Sequence, residues 1–231
     1  MRNYFIFDGV PSLNYGAYIA SSNMFDAPKK DYSTVSVIGR NGLLHIDNGR
    51  FEAFNGKCTV YIPYDMQTTI DGLRNFLVSR GTCRYMEYLR PEEYRLATFT
   101  NAFEVKGSDR RGAYFELQFT CSPERWLVDG EMPIAVSSSK VIMNRTMFNA
   151  KPLIEVVGTG TVDINGSSLT LANNTSTAYI DCDVEDAYEG TINRNSDLTV
   201  TNGFPVLEPG QNTVTVSGFT SCNIIPRWWI V

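Results

Sequence analysis

Histidine is almost missing from this chain: His45 is the only one among 231 residues. A multi-histidine metal centre is therefore excluded, and imidazole acid–base chemistry is left a single candidate. Basic residues are in no surplus either, since 20 Lys+Arg stand against 25 Asp+Glu, a formal charge of -5. Non-specific nucleic-acid binding draws on a lysine and arginine excess that this composition does not contain. Long apolar runs are lacking: Pro209 to Pro226 is free of charge but full of Asn, Thr, Ser and Gly, far from the ~20 apolar residues a membrane helix needs. At the N-terminus Asp8 interrupts the apolar run Tyr4–Phe7, which argues against a signal peptide. No Cys-x-x-Cys occurs, and the cysteines at 58, 83, 121, 182 and 222 are odd in number and scattered. That pattern fits free thiols in a reducing compartment, so the sequons at Asn144, Asn165, Asn173 and Asn174 are read as carrying no glycan.

What is present reads as β-structure. In 113–121, Phe115, Leu117, Phe119 and Cys121 alternate with Tyr114, Glu116, Gln118 and Thr120, the period of a half-buried strand. Val214 and Val216 repeat the pattern between threonines. Asn-Gly pairs at 41–42, 48–49, 55–56, 165–166 and 202–203 offer the left-handed residues that tight hairpins require. One segment differs: Ile70, Leu73, Phe76 and Leu77 share a helical face, which predicts one amphipathic helix over 69–80, with Thr69 as cap and Arg80-Gly81 as stop. Charge is divided unevenly: residues 1–130 carry 15 Lys+Arg and 15 Asp+Glu, residues 131–231 carry 5 and 10. With the turn-like Asp129-Gly130 and the loss of aromatics after Trp126, this predicts a mainly β protein of two domains, 1–130 and 131–231.

No chemical motif survives inspection. His45 has no nucleophile that the sequence places beside it, and is read as a strand histidine satisfied by a neighbour. Asp181-Cys182-Asp183-Val184-Glu185-Asp186 lacks the Asp-x-Asp-x-Asp-Gly spacing of a calcium loop and is read as a solvated strand end. Glu92-Glu93 point apart on an extended chain, unlike a glycosidase pair, and are assigned to a solvated loop. Neither Gly-x-Ser-x-Gly nor a phosphate-cradling glycine loop is found. The expectation is a protein that is no enzyme and carries neither cofactor nor metal. Trp228-Trp229 would face opposite sides of a strand, one in a core and one as a candidate interface aromatic or sugar platform.

Taken in order, these short motifs resemble the distal tail proteins of long-tailed, non-contractile bacteriophages of Gram-positive bacteria. The likeness runs from the turn Gly39-Arg40-Asn41-Gly42 within Val37–Leu44, through the single helix, Pro91 and Tyr94, to the strand Leu117–Trp126. It continues with Asn144–Val156, Gly158-Thr159-Gly160, Ile164-Asn165-Gly166, Ile180–Asp183, Pro209–Asn212 and Pro226-Arg227-Trp228. The resemblance implies an N-terminal β-sandwich with one packed α-helix and a C-terminal galectin-like β-sandwich. It implies a structural hub of the tail tip or baseplate, a virion protein made in the host cytoplasm. Six N-terminal domains would form a ring that continues the tail tube and lets DNA pass. The ring would join the tube to the tail-associated fibre or lysin protein and to receptor-binding proteins, without specific nucleic-acid binding or membrane insertion. The absence of histidine from 131–231 prevents carrying over the usual galectin sugar site. The alternative, motivated by Trp228-Trp229, is a carbohydrate-binding module that contacts the bacterial cell wall.

Overall fold

A computed structural model describes residues 3–63, 66–100 and 104–231. The chain divides into two compact units, Met1–Arg125 with Val231, and Trp126–Ile230. Ten strands belong to the first stretch: β1 Phe5–Phe7, β2 Val10–Pro11, β3 Tyr18–Ser22, β4 Lys30–Ser36, β5 Leu43–Phe51, β6 Phe54–Pro63, β7 Cys83–Glu87, β8 Arg90–Phe99, β9 Glu104–Asp109 and β10 Gly112–Leu127. Helix α1, Met66–Val78, follows β6.

The main sheet of this unit has the order β2-β1-β7-β8-β10-β6-β3, with β9 also on β10. It curls: the Ile19 N–H donates to the Asn3 carbonyl at 2.9 Å, which brings the edge strand β3 back to the segment ahead of β1. The alternation in 113–121 does what its period demands, since Phe115, Leu117, Phe119 and Cys121 are all buried. Phe5, Phe7 and Tyr85 gather around Phe119, with ring centroids 6.4, 5.6 and 5.4 Å away. Onto this core α1 lays Ile70, Leu73, Phe76 and Leu77. The helix limits differ from the 69–80 expected: Thr69 lies inside the helix, and Arg80 and Gly81 lie beyond its end. The stop is made by Ser79, whose Oγ donates to the Phe76 carbonyl at 2.8 Å and satisfies one free C=O of the last turn.

The second unit is a two-sheet sandwich. It contains β11 Ile134–Ala135, β12 Ser139–Asn144, β13 Leu153–Val157, β14 Gly160–Ile164, β15 Ser167–Leu171, β16 Thr177–Asp181, β17 Asp186–Glu189, β18 Ile192–Asn193, β19 Leu198–Thr201, β20 Gly210–Ser217 and β21 Ser221–Ile225. One sheet runs β11-β21-β13-β16-β17-β18 and the other β12-β20-β14-β15-β19. Their inner faces interlock through Ile154, Val156, Val162, Leu169, Ile180, Val214 and Ile224, with Trp228 in the same core. Gly130 lies against Trp228 so closely that any Cβ there would meet its backbone nitrogen, which makes glycine necessary at this position.

The Asn-Gly pairs do not all close hairpins. Asn165 (φ 54°) and Gly166 (φ 90°) form the two-residue turn between β14 and β15, as the dipeptide predicts. Asn48-Gly49 instead sits where the β4–β5 register shifts, at a bulge. Asn55-Gly56 is mid-strand in β6, opposite Thr120 and Phe119, and Gly56 is required there because a Cβ would collide with the Met24 sulfur. Asn202-Gly203 turns the chain out of β19 rather than joining paired neighbours, since β19 pairs with β15.

Candidate functional site

β4 and β5 form a sheet of their own, paired among the described residues only with each other. Antiparallel partners Ser33↔Ile46 and Val35↔Leu44 share one face, and Tyr32↔Asp47, Thr34↔His45 and Ser36↔Leu43 share the other. Both faces meet solvent: Val35 is 43%, Leu44 38%, Ile46 46% and Leu43 55% exposed. At the tip Ile38 is fully exposed, and Gly39 and Gly42 take φ of 84° and 83°. Gly39, Arg40, Asn41 and Gly42 thus end the ribbon, closed by the Arg40 N–H on the Val37 carbonyl at 3.1 Å.

Polar groups organise the base of the ribbon. Arg50 Nε pairs with Asp31 at 2.6 Å, the Asn48 amide donates to Asp31 at 3.1 Å, Lys30 pairs with Asp47, and Lys29 with Glu52 at 3.4 Å. The hydrogen bonds from Arg50 and Asn48 hold the Asp31 carboxyl below the ordinary carboxylate range. The Lys30 hydrogen bond does the same for Asp47. So a ribbon with an ionic base carries an apolar upper half toward water, and its apolar side chains keep about two-fifths to one-half of their surface exposed.

His45 stands on the exposed ribbon, edge-on to Tyr32 with ring centroids 6.3 Å apart. The acidic run is no simple solvated strand end. Asp181 is buried and receives both Nη1 and Nη2 of Arg227 at 2.7 Å, plus the Asp183 N–H at 2.9 Å. Burial opposes its charge, but the Arg227 and backbone hydrogen bonds outweigh it and keep the carboxyl below its usual range. Glu93 corrects the loop assignment of Glu92-Glu93: it lies on β8, buried, with Arg90 at 2.9 Å and Arg125 at 3.4 Å. Trp228 is buried in the second core, while Trp229 is half-buried, stacked on Phe148 at 4.3 Å, with its indole N–H on the Asn149 carbonyl at 3.0 Å. All five cysteines are free thiols. Burial pushes Cys58, Cys182 and Cys222 up to about 12 and Cys121 to about 11, far from nucleophilic thiolates.

Two polar organisers escaped the sequence reading. Arg95 is completely buried, donates to the carbonyls of Met24 at 2.9 Å and Asp26 at 3.2 Å, and lies 4.8 Å over the Phe54 ring. Asn212, also fully buried, takes the Glu208 N–H and gives its amide to the carbonyls of Glu208 and Ile142. A signal existed for both: each is a polar residue in phase with the inward positions of its strand, Arg95 with Ala97 and Asn212 with Val214. Such a residue must bring its own hydrogen-bond partners.

No protein-family model and no curated protein matches the sequence. Among solved structures, that of SPP1 Dit (gp 19.1), described as a paradigm of the hub adsorption apparatus in phages infecting Gram-positive bacteria, matches with a TM-score of 0.78 at 11% identity. The match covers 100% of this chain and 100% of that one. At such low identity the likeness is one of architecture, and on that ground this mainly β, two-unit chain has, from end to end, the fold of a phage Dit protein.

Proposed function

We propose that the protein is a structural hub at the distal end of a bacteriophage tail, and not a catalyst. The observation that carries this reading is the end-to-end likeness to SPP1 Dit, which extends over both units rather than over one common sandwich. In this reading six copies associate through the first unit into a ring that continues the tail tube. The ring holds the tail-associated fibre or lysin protein and receptor-binding proteins, and the second unit, the galectin-like half, is a docking platform.

The physical features agree with that role. A ring of identical subunits needs heterologous, complementary faces, and the β4–β5 ribbon offers apolar residues that its own unit leaves uncovered. The 15 cations and 15 anions of residues 1–130 leave no basic excess to retain passing DNA. Trp228 is in the core and is no platform for stacking a sugar, and Trp229 already has one ring face taken by Phe148. The test is negative-stain imaging of the purified full chain, alone and mixed with its tail-tube and fibre partners. Six-membered rings are the expected result. Monomers only, under every mixture, would overturn the reading.

A further inference from the structure

Four strands end the two sheets of the second unit, β11, β18, β12 and β19, and β12 is the longest of them. β12 ends its sheet and pairs only with β20. The Val216 N–H donates to the Ser138 carbonyl at 2.7 Å, which sets the phase of the ladder. Residues 140, 142 and 144 then bond toward β20, and the backbone groups of Ser139, Val141 and Met143 point away from it. Among the described residues nothing pairs with that outer edge. The side chains of Val141 and Met143 are exposed beside it, where natural edge strands usually place charges.

Alongside this edge runs an open groove of about 340 Å³, floored by Leu127, Ile134, Ile142 and Trp228. Lys140 and Arg145 line it, against the single carboxylate of Asp129. The acidic second half has five cations, and three are committed: Lys151 to Asp183, Arg194 to Glu189 and Asp197, Arg227 to Asp181. The two without a carboxylate partner among the described residues are the two in the groove, where Lys140 Nζ reaches only the Ala135 carbonyl, 3.1 Å away.

We infer that β12 is a docking edge for an extended segment of another protein, added as a further strand, in which apolar residues alternate with carboxylates. The backbone of Val141 and Met143 supplies the ladder. The inward residues of the added strand fill the apolar floor, and the outward ones meet Arg145. Strand addition of this kind reads alternate positions, and the free positive charge in an otherwise acidic unit selects the sign. The inference concerns the second unit alone and does not depend on ring formation.

A displayed library of random twelve-residue peptides, selected on the full-length protein, is the test. Peptides alternating acidic and apolar residues should be enriched, and their binding should slow amide exchange across 139–143. Binding should weaken at least tenfold in the double variant Lys140→Glu/Arg145→Glu, and comparably in Met143→Pro, which removes one outward N–H. The circular dichroism of each variant must match the parent for its result to count. No enrichment, enrichment without alternation, protection elsewhere, or affinity untouched by the charge reversal in a folded variant would each overturn the inference.

Discussion

Two hairpins of this molecule are built alike and end differently. β14–β15 closes on Asn165-Gly166, and its inward residues Val162, Ile164, Leu169 and Leu171 are buried. β4–β5 ends on Gly39-Arg40-Asn41-Gly42 and carries a comparable apolar set, Val35, Leu44 and Ile46, into water. Turn chemistry makes a hairpin in both, and alternation gives each an apolar face. The second sheet of the sandwich supplies a cover for the first hairpin, whereas among the described residues no other strand joins the ribbon and its apolar side chains stay exposed. Stability therefore resides in the buried hairpin, and surface available for association resides in the open one.

The largest effect that separates the two is a cavity. Leu169→Ala removes a fully buried side chain from the interlock of the two sheets and is expected to cost about 2–5 kcal/mol. Urea unfolding followed by tryptophan fluorescence measures it cleanly, because Trp126, Trp228 and Trp229 all lie within Trp126–Ile230. A loss below 1 kcal/mol would show that the sandwich tolerates collapse at this site and is no better packed than the ribbon.

Next in size is the Asp181–Arg227 pair. Asp181→Asn leaves a partly buried guanidinium without its charge partner and is expected to cost about 2 kcal/mol, below the range for fully buried pairs because Arg227 keeps 27% of its side chain in water. The pH dependence has a definite sign. The folded-state pKa of Asp181 is lowered, so its contribution is fully present above the unfolded value and is lost as pH falls through the folded one. In Asp181→Asn the acid limb of the stability–pH curve should flatten. An unchanged limb would assign acid sensitivity to other carboxylates.

How far the fold was legible follows from the same physics. The alternation over 113–121 and the inner face of α1 could be read directly, because a single core covers one side of each and the period survives there. Arg95, Glu93 and Asn212 were not identified, because burying a polar group depends on partners that come from distant segments: Met24 and Asp26 for Arg95, Arg125 for Glu93, Ile142 for Asn212. The groove beside β12 was only half visible. Trp228 stood out, but Lys140 and Arg145 became notable only when the other three cations of that half were found to be paired. The ribbon is the most instructive case, since Val35, Leu44 and Ile46 have the period of a half-buried strand. Periodicity reports that a face is apolar, and it does not report whether the same chain covers it.

A smaller effect distinguishes the turns. Gly166→Ala places a Cβ at φ 90° in a two-residue turn locked between paired strands, and about 1 kcal/mol should be lost. Gly42→Ala meets a similar φ of 83°, but the six-residue tip from Val37 to Gly42 can rearrange in water, so about half that cost or less is expected. Equal costs by urea unfolding of the two units would mean that the tip is held as firmly as the buried turn.

The smallest effect on stability is also the one that bears most on the proposed ring. Val35→Thr/Leu44→Thr keeps the strand propensity of the ribbon while removing apolar surface that is already about two-fifths exposed. Little transfer free energy is at stake within one chain, and the first unit should unfold within about 0.5 kcal/mol of the parent. Self-association is the opposite case. If Val35 and Leu44 are buried between copies, the lost burial recurs at every interface of a ring, and assembly should fail at concentrations where the parent assembles. Sedimentation velocity on the two proteins at matched concentrations measures this. A shift to smaller species with unchanged unfolding is the expected outcome. A loss of stability in the isolated chain would place the apolar face of the ribbon in its own fold and end the contrast with the buried hairpin.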